Sequence, residues 1–227
     1  MFIMLKYKNL TVLGTSHISS ESIKEVKKTI IETNPKIVAL ELDYSRFQAL
    51  ISKEKGNKSI KYMFKVGFTG FLFALIGSWA EKKLGNVVGV SPGSEMKKAI
   101  ELSKNLNYSI SLIDQDINIT LKNLSKRFTW KERFRFIFDL FRSLFTKQKI
   151  NFDLKEVPSD EVIRKLLYQV RKRYPNLYKV LVKDRNIVMA KNLYNLINKN
   201  PNDNIIAVVG AGHETDIINL IKRYDKH

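Results

Sequence analysis

The chain has 227 residues, an apolar fraction of 44%, a formal net charge of +18 and no cysteine. This length suits one domain with a buried core, and the ordinary apolar fraction excludes disordered and fibrous classes. The missing cysteines exclude a disulfide scaffold and any cysteine-based metal site or nucleophile, and they favour a reducing cytoplasm.

The first fifty residues alternate between strand and helix patterns. Asn9 to Leu13 predicts a strand, and apolar residues at helical spacing after Ser20 predict a helix that stops at Asn34-Pro35. A second strand follows at Ile37 to Leu40, with Glu41 at its end, and Tyr44 to Ser52 predicts another helix. Strand, helix, strand is the pattern of a parallel crossover unit.

The middle of the chain is mostly helical. An uncharged run from Val66 to Ala80 lies within a predicted helical insertion at about residues 56–85, and it is too short for a membrane span. Tyr108 to Ile113 predicts a third strand, and a long helical segment follows at about residues 118–198. The apolar run from Met1 to Leu5 is too short for the hydrophobic region of a secretory signal peptide, so we expect none.

The chain closes with a strand at Asn204 to Val209 and a helix from Thr215. We therefore predict one α/β domain over residues 1–227, with a mixed or largely parallel central sheet flanked by helices and interrupted by the helical insertion. Ligands of such sheets bind at the carboxyl ends of the strands.

Three potential metal ligands each follow a predicted strand: His17, Glu41 and His213. If these strands are parallel neighbours, the three side chains meet at one edge and leave open positions on a divalent ion, as in catalytic sites. Singly, a histidine or glutamate at a strand end is more often structural or solvated. Nearby glycines (Gly14, Gly210 and Gly212) allow close backbone approach and offer N–H groups to a developing oxyanion.

Six segments resemble the motifs of the TraB/PrgY family of pheromone-shutdown and conjugal-transfer-associated proteins, in the family's order. They are Gly14-Thr15-Ser16-His17-Ile18-Ser19, Leu40-Glu41-Leu42-Asp43, Pro92-Gly93-Ser94-Glu95-Met96, Leu112-Ile113-Asp114-Gln115-Asp116-Ile117, Asp184-Arg185-Asn186 and Val208-Val209-Gly210-Ala211-Gly212-His213. Through its two Gly-x-x-His motifs the family is similar to Tiki metallopeptidases and, more remotely, to erythromycin-esterase and ChaN-like folds. Gln115 departs from the arginine usual in the family.

The resemblance implies a metal-dependent hydrolase of short peptides that uses Mn, Co or Zn. Arg185 is then the electrophilic helper, while Glu95 is a ligand or general base, or simply complements a helix N-terminus. Residues expected to support the ligands from behind are Asp43, Arg46, Asp114, Asp116 and Asn186. Asp114 and Asp116 also suit turns and caps. The alternative function is a protein that binds and sequesters a peptide signal at a membrane surface without cleaving it.

A basic aromatic stretch runs from Lys122 to Lys149, with Phe134, Phe138, Phe141 and Phe145 on one helical stripe. The first interpretation is a stripe buried in the core of the protein. The second is an interfacial helix on anionic lipid, and nucleic acid is the least favoured partner. We therefore expect a cytoplasmic protein, with the membrane surface as a candidate location.

Overall fold

The computed structural model describes residues 4–15, 20–52, 67, 93–145 and 160–226. The described strands form one sheet; they are β1 (Met4–Tyr7), β2 (Leu10–Thr15), β3 (Ile37–Leu40), β4 (Ser109–Leu112) and β5 (Ile205–Gly210). Their order across the sheet is β1-β2-β5-β3-β4, with β1 antiparallel to β2 and the remaining pairs parallel. The predicted α/β fold with a mixed, largely parallel sheet is confirmed.

The last strand in sequence, β5, lies in the middle of the sheet between β2 and β3. Its register pairs Gly210 with Thr15 on one side and Val208 with Leu40 on the other. The carboxyl ends of these three strands therefore meet at one edge. Glu41 directly follows β3, and His213 follows β5 by three residues, so both lie at that edge.

Strand β1 was not predicted from the sequence. It covers Met4–Tyr7 and pairs with β2 through Met4 opposite Leu13 and Tyr7 opposite Leu10. Its residues alternate between exposed and half-buried. An edge strand with one solvated face does not require the β-branched run by which the buried strands are recognised, so the sequence pattern did not indicate it.

The described helices flank the sheet and form a smaller cluster beside it. They are α1 (Ser20–Thr33), α2 (Tyr44–Ile51), α3 (Ser94–Asn105), α4 (Ile117–Arg127), α5 (Trp130–Phe145), α6 (Asp160–Arg173), α7 (Pro175–Tyr178), α8 (Asp184–Lys199) and α9 (Glu214–Tyr224). A π-helical turn, Lys179–Lys183, joins α7 to α8. A π-turn shifts the phase of the helix that follows it, and such turns are frequent at functional sites.

Alternation along the strands sends side chains to two separate cores. On one face, Leu40 and Val208 pack with Val26 of α1 and Ile100 of α3. On the other face, residues including Ala207 pack with α8 and α9. Because both faces are covered, β3 and β5 are buried along their whole length, as parallel strands with helices on both faces usually are.

Two phenylalanines of the aromatic stripe of α5, Phe134 and Phe138, are exposed and not buried as first interpreted. Phe134 is 67% exposed and Phe138 is 64% exposed, beside Trp130 at 70%. The helix instead packs through Phe136, whose ring meets Phe128 and Tyr174 edge-on. The packed face is therefore offset from the phenylalanine stripe, because Phe136 lies on a different side of the helix from Phe134 and Phe138.

The predicted helical insertion at about residues 56–85 lies outside the described residues, apart from Gly67. Among the helices that the structure does describe, none combines the length and hydropathy required to span a bilayer.

Candidate functional site

Glu41 occupies the centre of the edge formed by the carboxyl ends of the strands. Its backbone N–H continues the sheet by donating to Val208 O at 3.1 Å, and its side chain is only 4% exposed. One carboxylate oxygen, Oε2, accepts the N–H of Gly210 at 2.5 Å. The other, Oε1, accepts from the Arg185 guanidinium. A buried carboxylate requires such partners, because burial without them disfavours its charge.

Arg185 reaches this edge from the first turn of α8. Besides Glu41, it contacts Asp114, whose Oδ2 lies 2.5 Å from Nη2, and it donates from Nη1 to the Leu181 carbonyl at 3.2 Å. Burial alone lowers the pKa of Arg185, but the Glu41 and Asp114 carboxylates outweigh burial and raise that pKa above its ordinary value. Arg185 is therefore a fixed cation.

A second arginine extends the network. Arg46 donates to Asp114 and, at 2.6 Å, to Asp43, which also caps α2 by accepting the Arg46 N–H. Burial lowers the pKa of Arg46, while Asp114 raises it, and the net effect is upward. The Asp114 side chain is fully buried between the two guanidinium groups. Asp43, Arg46 and Asp114 thus hold Arg185, and through it Glu41, in place.

His213 lies beside Glu41 and is oriented from behind by Asn186. The Nδ1 atom of His213 is 2.5 Å from Asn186 Oδ1, and Asn186 Nδ2 donates to Asp216 Oδ2 at 3.2 Å. Because the Asn186 amide nitrogen serves Asp216, its oxygen is the acceptor, and His213 carries its proton on Nδ1. In the neutral ring the lone pair then lies on Nε2, the arrangement usual for a metal-binding histidine.

The distance between His213 and Glu41 is compatible with a shared ion. His213 Nε2 is 3.8 Å from Glu41 Oε1. Two donors bonded to one ion at about 2.0–2.2 Å lie no more than about 4.4 Å apart. Within the described residues, no group of three histidine, aspartate or glutamate side chains is arranged to hold a metal. His17, the expected third ligand, lies outside the described residues.

Two of the three expected oxyanion donors are already engaged. The Gly210 N–H serves Glu41, and the Gly212 N–H donates to Glu214 Oε2 at 2.8 Å. Gly212 has a φ of 95°, in the region that favours glycine. At Gly14, an added Cβ would lie 3.0 Å from Glu214 Oε2. These glycines therefore allow close packing around two buried carboxylates.

The other expected site residues are placed as follows. Glu95 is buried in the first turn of α3, where its charge complements the helix N-terminus. Asp116 caps α4 by accepting the Asn118 N–H at 2.7 Å. Gln115, which departs from the family's usual arginine, donates to Thr120 Oγ1 at 2.8 Å. The hydrogen bond from Asn118 to Asp116 agrees with the capping role that the sequence left open for Asp116.

Sequence reasoning missed Glu214 and Asp216. Glu214 is 3% exposed and sits at the start of α9, directly after His213. Asp216, one turn from His213, holds the amide of Asn186. Their acidic character in the first turn of a helix was a visible signal for capping. The proximity of Glu214 to Gly14 in β2 and the contact of Asp216 with Asn186 in α8 arise only from the tertiary fold.

The comparisons with known proteins agree with the motifs. The profile of the TraB/PrgY/gumN family matches residues 4–227. The chain is 40% identical to an uncharacterized protein of Methanocaldococcus jannaschii over 96% of this chain and 54% of the relative. It is 23% identical to the human TraB domain-containing protein and 22% identical to the mouse one, each over 79% of this chain and 50% of the relative. The chain thus spans about half the length of these curated relatives.

Proposed function

Because the chain belongs to the TraB/PrgY/gumN family, we propose that it is a metal-dependent hydrolase that acts on short peptides. The observation that supports the metal is the 3.8 Å distance between His213 Nε2 and Glu41 Oε1, with Nδ1 of the same ring held by Asn186. The peptide as substrate is supported by the resemblance of the Gly-x-x-His motifs to those of the Tiki proteins.

The proposed ligands are His213, Glu41 and His17, the last following β2 in the sequence. A divalent ion such as Mn, Co or Zn would supply Lewis acidity and lower the pKa of a bound water. The ion would compete with Arg185 for Oε1 of Glu41, since that oxygen now accepts from the guanidinium. Oε2 would keep its hydrogen bond from Gly210.

The remaining residues orient the ligands and bind charge. Asn186 holds Nδ1 of His213, so that Nε2, the ring nitrogen nearest Glu41, would carry the lone pair of the neutral ring. Arg185, a cation anchored by Asp114, would stabilise negative charge that develops on a substrate carbonyl or bind a substrate carboxylate. Because Asp114 and Arg46 fix Arg185 from behind, little reorganisation is required when such charge develops.

The test measures metal content and peptide cleavage together. The purified protein is loaded separately with Mn, Co and Zn, its bound metal is measured by elemental mass spectrometry, and a defined peptide mixture is followed by mass spectrometry. We expect His213→Ala and Glu41→Gln to lose both metal and cleavage, whereas His227→Ala retains both. Absence of stoichiometric metal from the unsubstituted protein, or full metal and cleavage in His213→Ala, would contradict the proposal.

A specific observation favours the sequestering alternative. Both Glu41 oxygens already have strong partners, Arg185 and Gly210, so the carboxylate is satisfied without an ion. A protein that only binds a peptide would return every peptide of the mixture at its original mass, bound and then released on denaturation. Cleaved products from the metal-loaded protein exclude this alternative.

The exposed aromatic face of α5 supports a membrane surface as partner. Trp130, Phe134 and Phe138 present large apolar area to solvent, and the exposed cations Lys131 and Arg142 flank it. An exposed apolar face edged by cations suits the boundary of an anionic bilayer. We therefore propose that α5 contacts anionic lipid.

A further inference from the structure

A cavity of about 500 Å³ lies between the π-helical turn and α9, next to the carboxyl edge of the sheet. Asn186 and Asp216, the residues that orient His213, both line it. The function proposed above does not use this cavity.

Positive charge dominates the cavity wall. Four cationic side chains line the cavity, Arg171, Lys179, Lys183 and Arg223, whereas the carboxylate on its wall is that of Asp216. Lys179 is neutralised by Asp184, whose Oδ1 lies 2.5 Å from Nζ. Within the described part of the chain, the other three cations form no ion pair. Cations gathered around one concave space attract anions from solution, because the low-dielectric walls focus their field.

The same cavity has an apolar side. Tyr178, Ile187 and Leu220 line it together with the cations. Burial raises the pKa of Tyr178, and Asp216 raises it further, so the phenol keeps its proton and can donate a hydrogen bond. Arg171 also lies 5.9 Å from the centre of the Tyr178 ring. A ligand that fills this space therefore meets both cationic and apolar side chains.

We propose that this cavity binds a small organic anion, a carboxylate or phosphate attached to a short apolar body. Arg171 and Arg223 supply the charge-assisted hydrogen bonds to the anionic group, because guanidinium forks match the oxygens of both carboxylate and phosphate. Lys183 adds a point charge, and Tyr178, Ile187 and Leu220 contact the apolar body. Binding requires neither a metal ion nor hydrolysis.

The experiment titrates metal-free protein, in Tris chloride, with four compounds by calorimetry: hexyl phosphate, hexanoate, hexylammonium and 1-hexanol. Hexyl phosphate and hexanoate distinguish the two anionic groups, because the compound that binds more tightly shows whether the cavity prefers a phosphate or a carboxylate. The test variant is Arg171→Gln/Arg223→Gln. The matched control is Lys27→Gln/Lys28→Gln on α1, which removes the same charge at two exposed positions. Circular dichroism checks that both variants fold.

We expect saturable binding of at least one of the two anions and no binding of hexylammonium. The test variant should weaken binding about tenfold or more, while the control stays within about twofold. The proposal is overturned if neither anion binds, if 1-hexanol binds as tightly as the anions, or if the two double variants bind alike. Because the protein is metal-free, these outcomes are independent of whether it is a hydrolase.

Discussion

The Nδ1 atom of His213 and the Oδ1 atom of Asn186 are 2.5 Å apart. Helix α8, which carries Asn186, therefore determines that Nε2 is the ring nitrogen of His213 that lies near Glu41. This contact joins the first turn of α8 to the loop that follows β5, two segments separated by 27 residues in the sequence. The orientation of His213 is thus a property of the tertiary fold.

Asn186→Ala should weaken metal binding about 10–100-fold, because the loss of such a supporting hydrogen bond leaves the ring free to rotate. Competition against a chromophoric chelator measures the affinity. The control is Asn192→Ala, which removes a 2.8 Å hydrogen bond from the same helix to the Ile113 carbonyl but does not touch His213. Equal affinities in the two variants would show that Asn186 does not support a ligand.

Arg185→Met should cost about 3–5 kcal/mol in the free energy of unfolding, because it leaves the buried Glu41 carboxylate without its cation. Urea denaturation measures the loss. The exposed pair of Arg127 and Asp184 is the comparison, and Arg127→Met should cost no more than about 1 kcal/mol. Adding Glu41→Gln to Arg185→Met should recover part of the loss. A double variant less stable than Arg185→Met would argue against an unpaired charge as the cause.

Gly14→Ala should destabilise the protein by about 1–3 kcal/mol, since its Cβ meets a well-packed side chain. The obstacle is the Glu214 carboxylate, 3.0 Å from the added atom. Shortening that side chain by Glu214→Asp should restore part of the thermal stability that Gly14→Ala removes. If the two substitutions add without recovery, the contact between these residues is not the source of the loss.

Asp139 gives a prediction for acid conditions. Arg173 and a hydrogen bond from Tyr174 lower the pKa of Asp139 from 3.8 to about 2. A lowered pKa in the folded state stabilises the protein above the ordinary value, and this stabilisation disappears as pH falls toward about 2. The difference in urea midpoint between the unsubstituted protein and Asp139→Asn should therefore be larger at about pH 5 than at about pH 3. An equal difference at both pH values would contradict the pKa shift.

Binding to lipid should require both the aromatic face of α5 and anionic headgroups. We expect the protein to sediment with vesicles that contain phosphatidylserine, and sedimentation should fall with salt because exposed charges are screened. Phe134→Ser/Phe138→Ser should reduce sedimentation at every salt concentration. Ile119→Ser/Leu106→Ser removes exposed apolar residues elsewhere and should not change it. Equal binding to neutral vesicles would contradict the electrostatic contribution.

The sequence predicted the elements whose pattern is local. Ile37–Leu40 and Ile205–Gly210 are runs of apolar residues buried on both faces, and such runs are recognisable without a structure. The first strand was not predicted, because Met4–Tyr7 alternates between exposed and half-buried residues at the sheet edge and includes a lysine. The prediction that Phe134 and Phe138 are buried was wrong for a related reason. Helical spacing identifies an apolar stripe, but it does not show whether another element packs against that stripe.

The candidate site was predictable in its members but not in its connections. Glu41, Arg185 and His213 were recognisable by type, position and motif. Their contacts depend on which strands are neighbours and on how α8 enters after the π-helical turn. The proximity of Glu214 to Gly14 and the contact of Asp216 with Asn186 come from tertiary packing, which leaves no periodic signal in one sequence.

The central position of β5 has a consequence for biosynthesis. A ribosome delivers Glu41 before His213, so the two sides of the candidate site cannot meet until β5 and the residues after it have been synthesised. A nascent chain that lacks β5 has a gap between β2 and β3, and these strands lose their shared partner. Contacts between residues far apart in sequence form slowly. The sheet is therefore completed only when β5 inserts between β2 and β3. A chain stalled before β5 would therefore carry the first five motifs but lack His213, and with it the chemistry that we propose for the site.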